Sequence, residues 1–188
     1  MSDKKRALEK IADEIKKCKE CRKNKYGLPV PGEGDPNAKV MFIGEAPGIE
    51  ESKVGRPFIG RAGKFLTKML NSIGIKREKV FITSPVKYYP GKRAPNIKEI
   101  RHGMLHTKKQ IEIIKPKVIV LLGNTALKAL IDEKAKISKL HGKIIKKNGI
   151  IFIPTFHPSA AMRFPKIKEK MEKDFKKIRR FLKSFNIL

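Results

Sequence analysis

The chain is poor in cysteine, poor in acidic residues and without long apolar runs. Its two cysteines, Cys18 and Cys21, cannot build the multi-bridge framework of a small secreted domain. No apolar stretch is long enough to span a bilayer. The opening segment MSDKKRALEKIADEIKK has no short apolar core of the signal-peptide kind, so a cytoplasmic protein is expected. Neither G-x-x-x-x-G-K-[ST] nor G-x-G-x-x-G occurs at a strand end, which argues against a nucleotide-phosphate or dinucleotide site. The Cys18–Cys21 pair lies in a basic N-terminal loop, away from any strand–helix junction, which argues against thioredoxin-type redox chemistry.

Acidic residues number 18 against 45 lysines and arginines, a formal net charge of +27. Such a chain attracts polyanions, and nucleic acid is the partner expected. The basic residues spread along the whole sequence instead of clustering on one amphipathic helix, so membrane-surface binding is not expected. A Lys-rich surface of thermophilic type would give the same balance. The hydrophobic fraction of 40% is enough for a folded core, and 188 residues suit a single domain, 1–188.

Helical periodicity appears at 3–17, 61–74, 97–115 and 166–185. Short apolar runs at 40–44, 80–83, 118–123 and 150–155 read as buried strands, and Asn124 is placed to cap a short helix after the third. Alternation of strand and helix predicts an α/β domain: a central four-stranded, mostly parallel sheet flanked by helices. Ligands of such sheets bind beyond the C-terminal strand ends. Three loops converge there: 44–60, 84–95 and 156–164.

The first loop contains Gly44-Glu45-Ala46-Pro47-Gly48 and then RPFIGRAG. Glu45 is a carboxylate at a strand end, suited to catalysis or to capping backbone N–H groups. Phe58 lies in a Gly/Pro loop where no periodicity demands an aromatic, so it can stack on a base or anchor the loop. The last loop reads FHPS. His157 can donate a hydrogen bond to developing negative charge or serve as a structural histidine. Ser159 can cap the next turn or bind phosphate. Met162 can act as an apolar wedge or as core.

The ordered set GEAPG, RPFIGRAG, ITSPVK, KPKVIVLLG and FHPS resembles the thermostable, iron–sulfur-containing uracil-DNA glycosylases, family four of that superfamily. The resemblance runs from about Cys18 to the final helix. It implies hydrolysis of the N-glycosidic bond of deoxyuridine in DNA to leave an abasic site, with no metal in the chemistry; a monomer is expected of an enzyme that flips a base. On it, Gly44, Ala46, Pro47 and Gly48 form the floor of the base pocket, Phe58 stacks on the base, and His157 bonds uracil O2. Glu45 is the catalytic carboxylate, although in the related GQDPY pattern the water-positioning Asp falls where this chain has Ala46. Lys87, Lys92, Arg93, Arg163 and Lys166 are candidate phosphate contacts, with Met162 as the wedge.

Two departures from the family stand out. Its Asn after the second strand, which reads the uracil edge, is Ser84 here. Another deaminated base, hypoxanthine or xanthine, becomes an alternative substrate, and a non-catalytic DNA binder is the remaining alternative. The family also holds a structural [4Fe–4S] cluster on four cysteines. Cys18 and Cys21 match the first pair, while Tyr88 stands at the third position and His102 or Gly103 near the fourth. The cluster is then lost, or kept with His102 as ligand, or replaced by zinc on Cys18, Cys21, His102 and His106, whose H-x-x-x-H spacing puts both imidazoles on one helix face. His141 receives no role.

Overall fold

The computed structural model describes residues 2–187, so the outermost residues of the predicted domain, Met1 and Leu188, lie outside it. Helices α1 (Asp3–Lys17) and α2 (Lys19–Arg22) precede strands β1 (Glu33–Gly34) and β2 (Val40–Ile43). Helices α3 (Ile49–Val54) and α4 (Arg61–Ser72) follow, then β3 (Phe81–Thr83), α5 (Ile97–Ile114) and β4 (Val118–Leu122). The chain closes with α6 (Asn124–Leu130), α7 (Ile137–Leu140), β5 (Ile145–Lys147), β6 (Ile150–Thr155), α8 (Pro158–Arg163) and α9 (Pro165–Ser184).

The sheet has six strands in the order β1-β3-β2-β4-β6-β5, two more than expected. The inner four, β3-β2-β4-β6, are parallel and coincide with the four apolar runs. Each edge carries a short antiparallel strand that periodicity does not reveal. Strand β1 is two residues inside a Gly/Pro loop. Strand β5 is the polar segment IKK, joined to β6 through Asn148-Gly149. Both turn residues have positive φ, +51° and +76°, the conformation of a tight two-residue hairpin turn.

Strands β2 and β4 are buried along their full length because helices cover both sheet faces. Alternate side chains divide between the faces. Val40, Phe42, Val120 and Leu122 pack with α4 and with Met171, Phe175, Ile178 and Leu182 of α9. Met41, Ile43, Ile119 and Leu121 pack with Ile114 of α5 and Ala126 and Leu127 of α6. Asn96 caps α5 by accepting from Glu99 N, and the Glu99 side chain accepts from Asn96 N in return. Asn124 does not cap α6. Gly123 occupies the cap position, and Asn124 Oδ1 accepts from Ile137 N at 2.9 Å, tying α6 to α7.

Candidate active site

A cleft of about 240 Å³ opens beyond the C-terminal ends of β2, β3 and β6. All three loops singled out from sequence reach it. Its lining includes Glu45, Ala46, Pro47, Gly48, Phe58, Ser84, His157 and Ser159, with Tyr89, Pro90 and Gly91 on the opposite wall. Gly44 lies beneath the lining, and its missing side chain makes room for the aromatic. A Cβ there would sit 2.6 Å from Phe58 Cζ and 3.8 Å from His157 Nε2. The Phe58 ring and the His157 imidazole are therefore neighbours on the cleft floor, with centroids 5.8 Å apart and planes tilted by 38°.

Phe58 is held in a left-handed backbone conformation, φ +51°, which costs a non-glycine residue free energy. Its supports are residues that sequence reasoning missed. Glu51, buried in α3, accepts from Ile59 N and Gly60 N, both at 2.8 Å, on Oε1 and from Gly48 N at 3.1 Å on Oε2. One carboxylate thus joins the two halves of the loop on either side of Phe58. Arg77 donates to the carbonyls of Pro57 and Phe58 from the turn before β3. Gly63 lets α4 pass against the same backbone, since a Cβ there would lie 1.9 Å from the Phe58 carbonyl.

His157 is the N-cap of α8, with Pro158 at the first helical position. Its Nδ1 lies 3.2 Å from Ser159 N and 2.7 Å from Ser159 Oγ. A backbone N–H can only donate, so Nδ1 is the acceptor and the neutral ring carries its proton on Nε2. That N–H points to the cleft floor. Burial holds the imidazole below the ordinary histidine value of 6.5, with the nearby Glu45 carboxylate working in the opposite direction. Glu45 in turn accepts a hydrogen bond from Thr125 of α6, a partner that no local motif announced. Ser84 is buried, and its hydroxyl donates to Val86 O at 2.9 Å, so its oxygen meets the cleft with lone pairs only.

The candidate phosphate contacts separate into three kinds. Lys92, Arg163 and Lys166 are exposed. Arg93 is exposed on the cleft rim but forms a two-pronged bond to Glu99 at 2.7 and 2.8 Å. Lys87 is not on the rim at all. It is 1% exposed, and its ammonium reaches inward to Thr83 Oγ1 at 2.8 Å, Gln110 Oε1 at 3.1 Å and Pro31 O at 3.4 Å. Burial pushes its pKa down to about 7, and the acceptors around it explain why a lysine is tolerated there. Met162 is 39% exposed on α8, and the neighbouring Phe164, absent from the sequence reading, is 55% exposed.

Cys18, Cys21, His102 and His106 come together away from this cleft, each with a ligand-capable atom within 4.8 Å of the others. Burial, helped by the hydrogen bond with Cys18, pushes the Cys21 thiol up to about 12. Burial, together with the Lys87 charge, holds His106 below the ordinary range. His141, unassigned from sequence, pairs with the buried carboxylate of Asp174 at 3.0 Å and ties the segment after α7 to α9.

A parallel α/β sheet with a histidine–aromatic cleft at its C-terminal edge is the architecture of a ligand-binding enzyme. The family model of the uracil DNA glycosylase superfamily matches residues 31–183, and the chain belongs to that superfamily. It is 44% identical to a type-4 uracil-DNA glycosylase of Sulfurisphaera tokodaii, with 92% of this chain and 84% of the relative covered. It is 40% identical to the type-4 enzyme of Archaeoglobus fulgidus over 92% of each chain. Identity to the type-4 enzyme of Thermotoga maritima is also 40%, covering 94% of this chain and 95% of the relative. Among the described residues, no helix is long and apolar enough to cross a membrane.

Proposed function

We propose that this protein is a uracil-DNA glycosylase that takes deoxyuridine out of the DNA stack and hydrolyses its N-glycosidic bond. The observation that carries the reading is the pairing of a fixed His157 Nε2–H with the Phe58 ring on the floor of one cleft. The relatives' names supply the substrate.

The flipped uracil stacks on Phe58 and rests on the backbone of Gly44, Ala46, Pro47 and Gly48. As the C1′–N1 bond breaks, its electron pair moves onto the base and positive charge builds on the sugar. His157 Nε2–H donates to uracil O2, where the negative charge collects. The Glu45 carboxylate, oriented by Thr125, stabilises the sugar cation and positions the water that adds to C1′. That water loses its proton, which ends on the departing uracil anion, and the products are an abasic site and neutral free uracil. Ser84 Oγ accepts from the base N3–H. Met162 and Phe164 fill the gap left in the duplex, while Lys92, Arg93, Arg163 and Lys166 meet phosphates. The enzyme acts as a single-domain monomer in the cytoplasm, and the chemistry needs no metal because the cleft residues supply every group named.

The test is base release from matched oligonucleotides carrying uracil, hypoxanthine, xanthine or no lesion, with alkali cleavage at abasic sites. Uracil release is expected. DNA binding without release of any base would replace the enzyme with a non-catalytic relative.

A further inference from the structure

We propose that Cys18, Cys21, His102 and His106 hold a single zinc ion in a closed tetrahedral site, in place of an iron–sulfur cluster. Zinc–ligand distances of about 2.3 Å to sulfur and about 2.0–2.1 Å to nitrogen put neighbouring tetrahedral ligands about 3.3–3.8 Å apart. The four ligand atoms here lie within 4.8 Å of one another, and Cys18 Sγ is 3.1 Å from His102 Nε2. Side-chain shifts of about half an ångström to an ångström per atom gather them around one ion.

The local geometry suits that ion in other ways. Cys18 ends α1 and begins α2, and its sulfur accepts from Cys21 N at 3.4 Å, a bond that supports a metal-bound thiolate. The two histidines stand one turn apart on α5, with ring centroids 6.0 Å apart and planes nearly perpendicular, so both can converge on a point between them and the cysteines. His106 Nδ1 is the buried side-chain polar atom without a hydrogen-bond partner among the described residues, the Glu14 carboxylate standing 3.8 Å from it, beyond hydrogen-bond reach. A buried donor or acceptor left in that state calls for an explanation.

The same residues do not fit a cluster. A [4Fe–4S] centre takes four thiolates, and this site has two. A [2Fe–2S] centre with two cysteines on one iron and two histidines on the other keeps sulfur and imidazole ligands at opposite ends. The contact between Cys18 and His102 contradicts that separation. Tyr88 closes the remaining side: its buried ring packs with Cys21, and its hydroxyl donates to the carbonyls of Ile15 and Lys16. Two thiolates and two neutral imidazoles in a tetrahedron suit zinc, and four protein ligands leave no open position for chemistry. The ion would pin α1 and α2 to α5, where the packing otherwise rests on a small cluster around Ile11, Ile15 and Tyr88.

The proposal is independent of the glycosylase reading, and its test does not use activity. Protein purified under reducing conditions is assayed for metals and acid-labile sulfide, then stripped with chelator and titrated with zinc or cobalt. One equivalent of zinc without sulfide is expected. So are tetrahedral cobalt spectra with thiolate charge transfer, and a melting temperature that falls on stripping and recovers on zinc addition. His102→Ala, on the half-exposed ligand, should lose more than about a hundredfold in zinc affinity, as should Cys18→Ser. Iron with stoichiometric sulfide would overturn the proposal. So would failure of the stripped, reduced protein to take up zinc, or unchanged affinity in both variants.

Discussion

The Ser159 hydroxyl lies 2.7 Å from His157 Nδ1, on the ring edge opposite the Nε2 that approaches Gly44. Together with the Ser159 N–H it commits Nδ1 as an acceptor and leaves the proton on Nε2. Ser159→Ala removes one of these two bonds and keeps the other. A neutral hydrogen bond contributes about 1 kcal/mol, so the single-turnover rate should fall roughly fivefold to tenfold. His157→Ala removes the donor itself and should cost about 10²–10³-fold, with DNA affinity nearly unchanged. Equal losses in the two variants would mean that Ser159 touches the substrate instead of orienting the ring.

The pH dependence follows from the same arrangement. Burial lowers the His157 pKa, so the neutral ring already dominates at pH 6.5 and above. Protonation would have to displace the Ser159 N–H from Nδ1. The part of the rate that depends on His157 should therefore change about a midpoint below pH 6.5. A step centred above pH 6.5 that disappears in His157→Ala would contradict this.

The position of Phe58 depends on groups that never reach the base. Stacking of a base on an aromatic contributes about 1–3 kcal/mol, so Phe58→Ala should lower base release roughly tenfold to a hundredfold. Gly63→Ala pushes a methyl into the Phe58 carbonyl, and Glu51→Ala frees Gly48 N, Ile59 N and Gly60 N. Both should lose activity on the scale of Phe58→Ala although the ring is intact. Single-turnover rates compared at equal folded fraction, measured by circular dichroism, provide the check.

Lysines and arginines of the cleft region divide by burial, and salt dependence can separate them. Each phosphate contact contributes about −0.9 to the slope of log K against log salt. Lys92→Ala, Arg163→Ala and Lys166→Ala should each flatten that slope by about one contact. Arg93→Ala should do less, because its guanidinium is tied by two bonds to Glu99, a carboxylate it shares with Lys25. Lys87→Ala should leave the slope alone and lower the melting temperature, since it strips a donor from Thr83, Gln110 and Pro31. A flattened slope in Lys87→Ala would return that residue to the DNA surface.

The parallel strands and long helices were legible because central strands of such sheets are unbroken apolar runs and the helices carry clean apolar stripes. The edge strands were not. Strand β1 is too short for any pattern, and the polar β5 lacks alternation, so the Asn148-Gly149 turn before β6 is not read there as a hairpin. Gly44, Glu45 and His157 were readable because they follow strand ends directly, and Phe58 because an aromatic stands out in the Gly/Pro loop before α4. Lys87 was misread, since its partner Gln110 sits 23 residues further on, across a contact that only the fold creates. Arg77 and Thr125 escaped for the same reason, since each acts on a distant backbone or side chain. Glu51 sits at the third position of α3 behind the Gly48 cap, a local feature that does not reveal its bonds to Ile59 N and Gly60 N. Phe164 did carry a signal, an aromatic between two basic residues beside the FHPS loop, and it was overlooked.

Selectivity for the base turns on the proton of Ser84. That proton is given to Val86 O, so Ser84 Oγ can only accept. Uracil and hypoxanthine offer a ring N–H at the matching edge, whereas cytosine offers a lone pair. Turning the hydroxyl round to greet cytosine would leave the Val86 carbonyl unpaired in a buried place, at a cost of about 1–3 kcal/mol. Cytosine should therefore be refused, while hypoxanthine is limited by the size of the cleft alone. Ser84→Asn restores a donor beside the acceptor and should raise the preference for uracil over hypoxanthine. Ser84→Ala should weaken uracil release and narrow the gap between uracil and cytosine. Competition between lesion-bearing oligonucleotides reads out both ratios. Ratios that stay unchanged in both variants would show that another group reads the base edge.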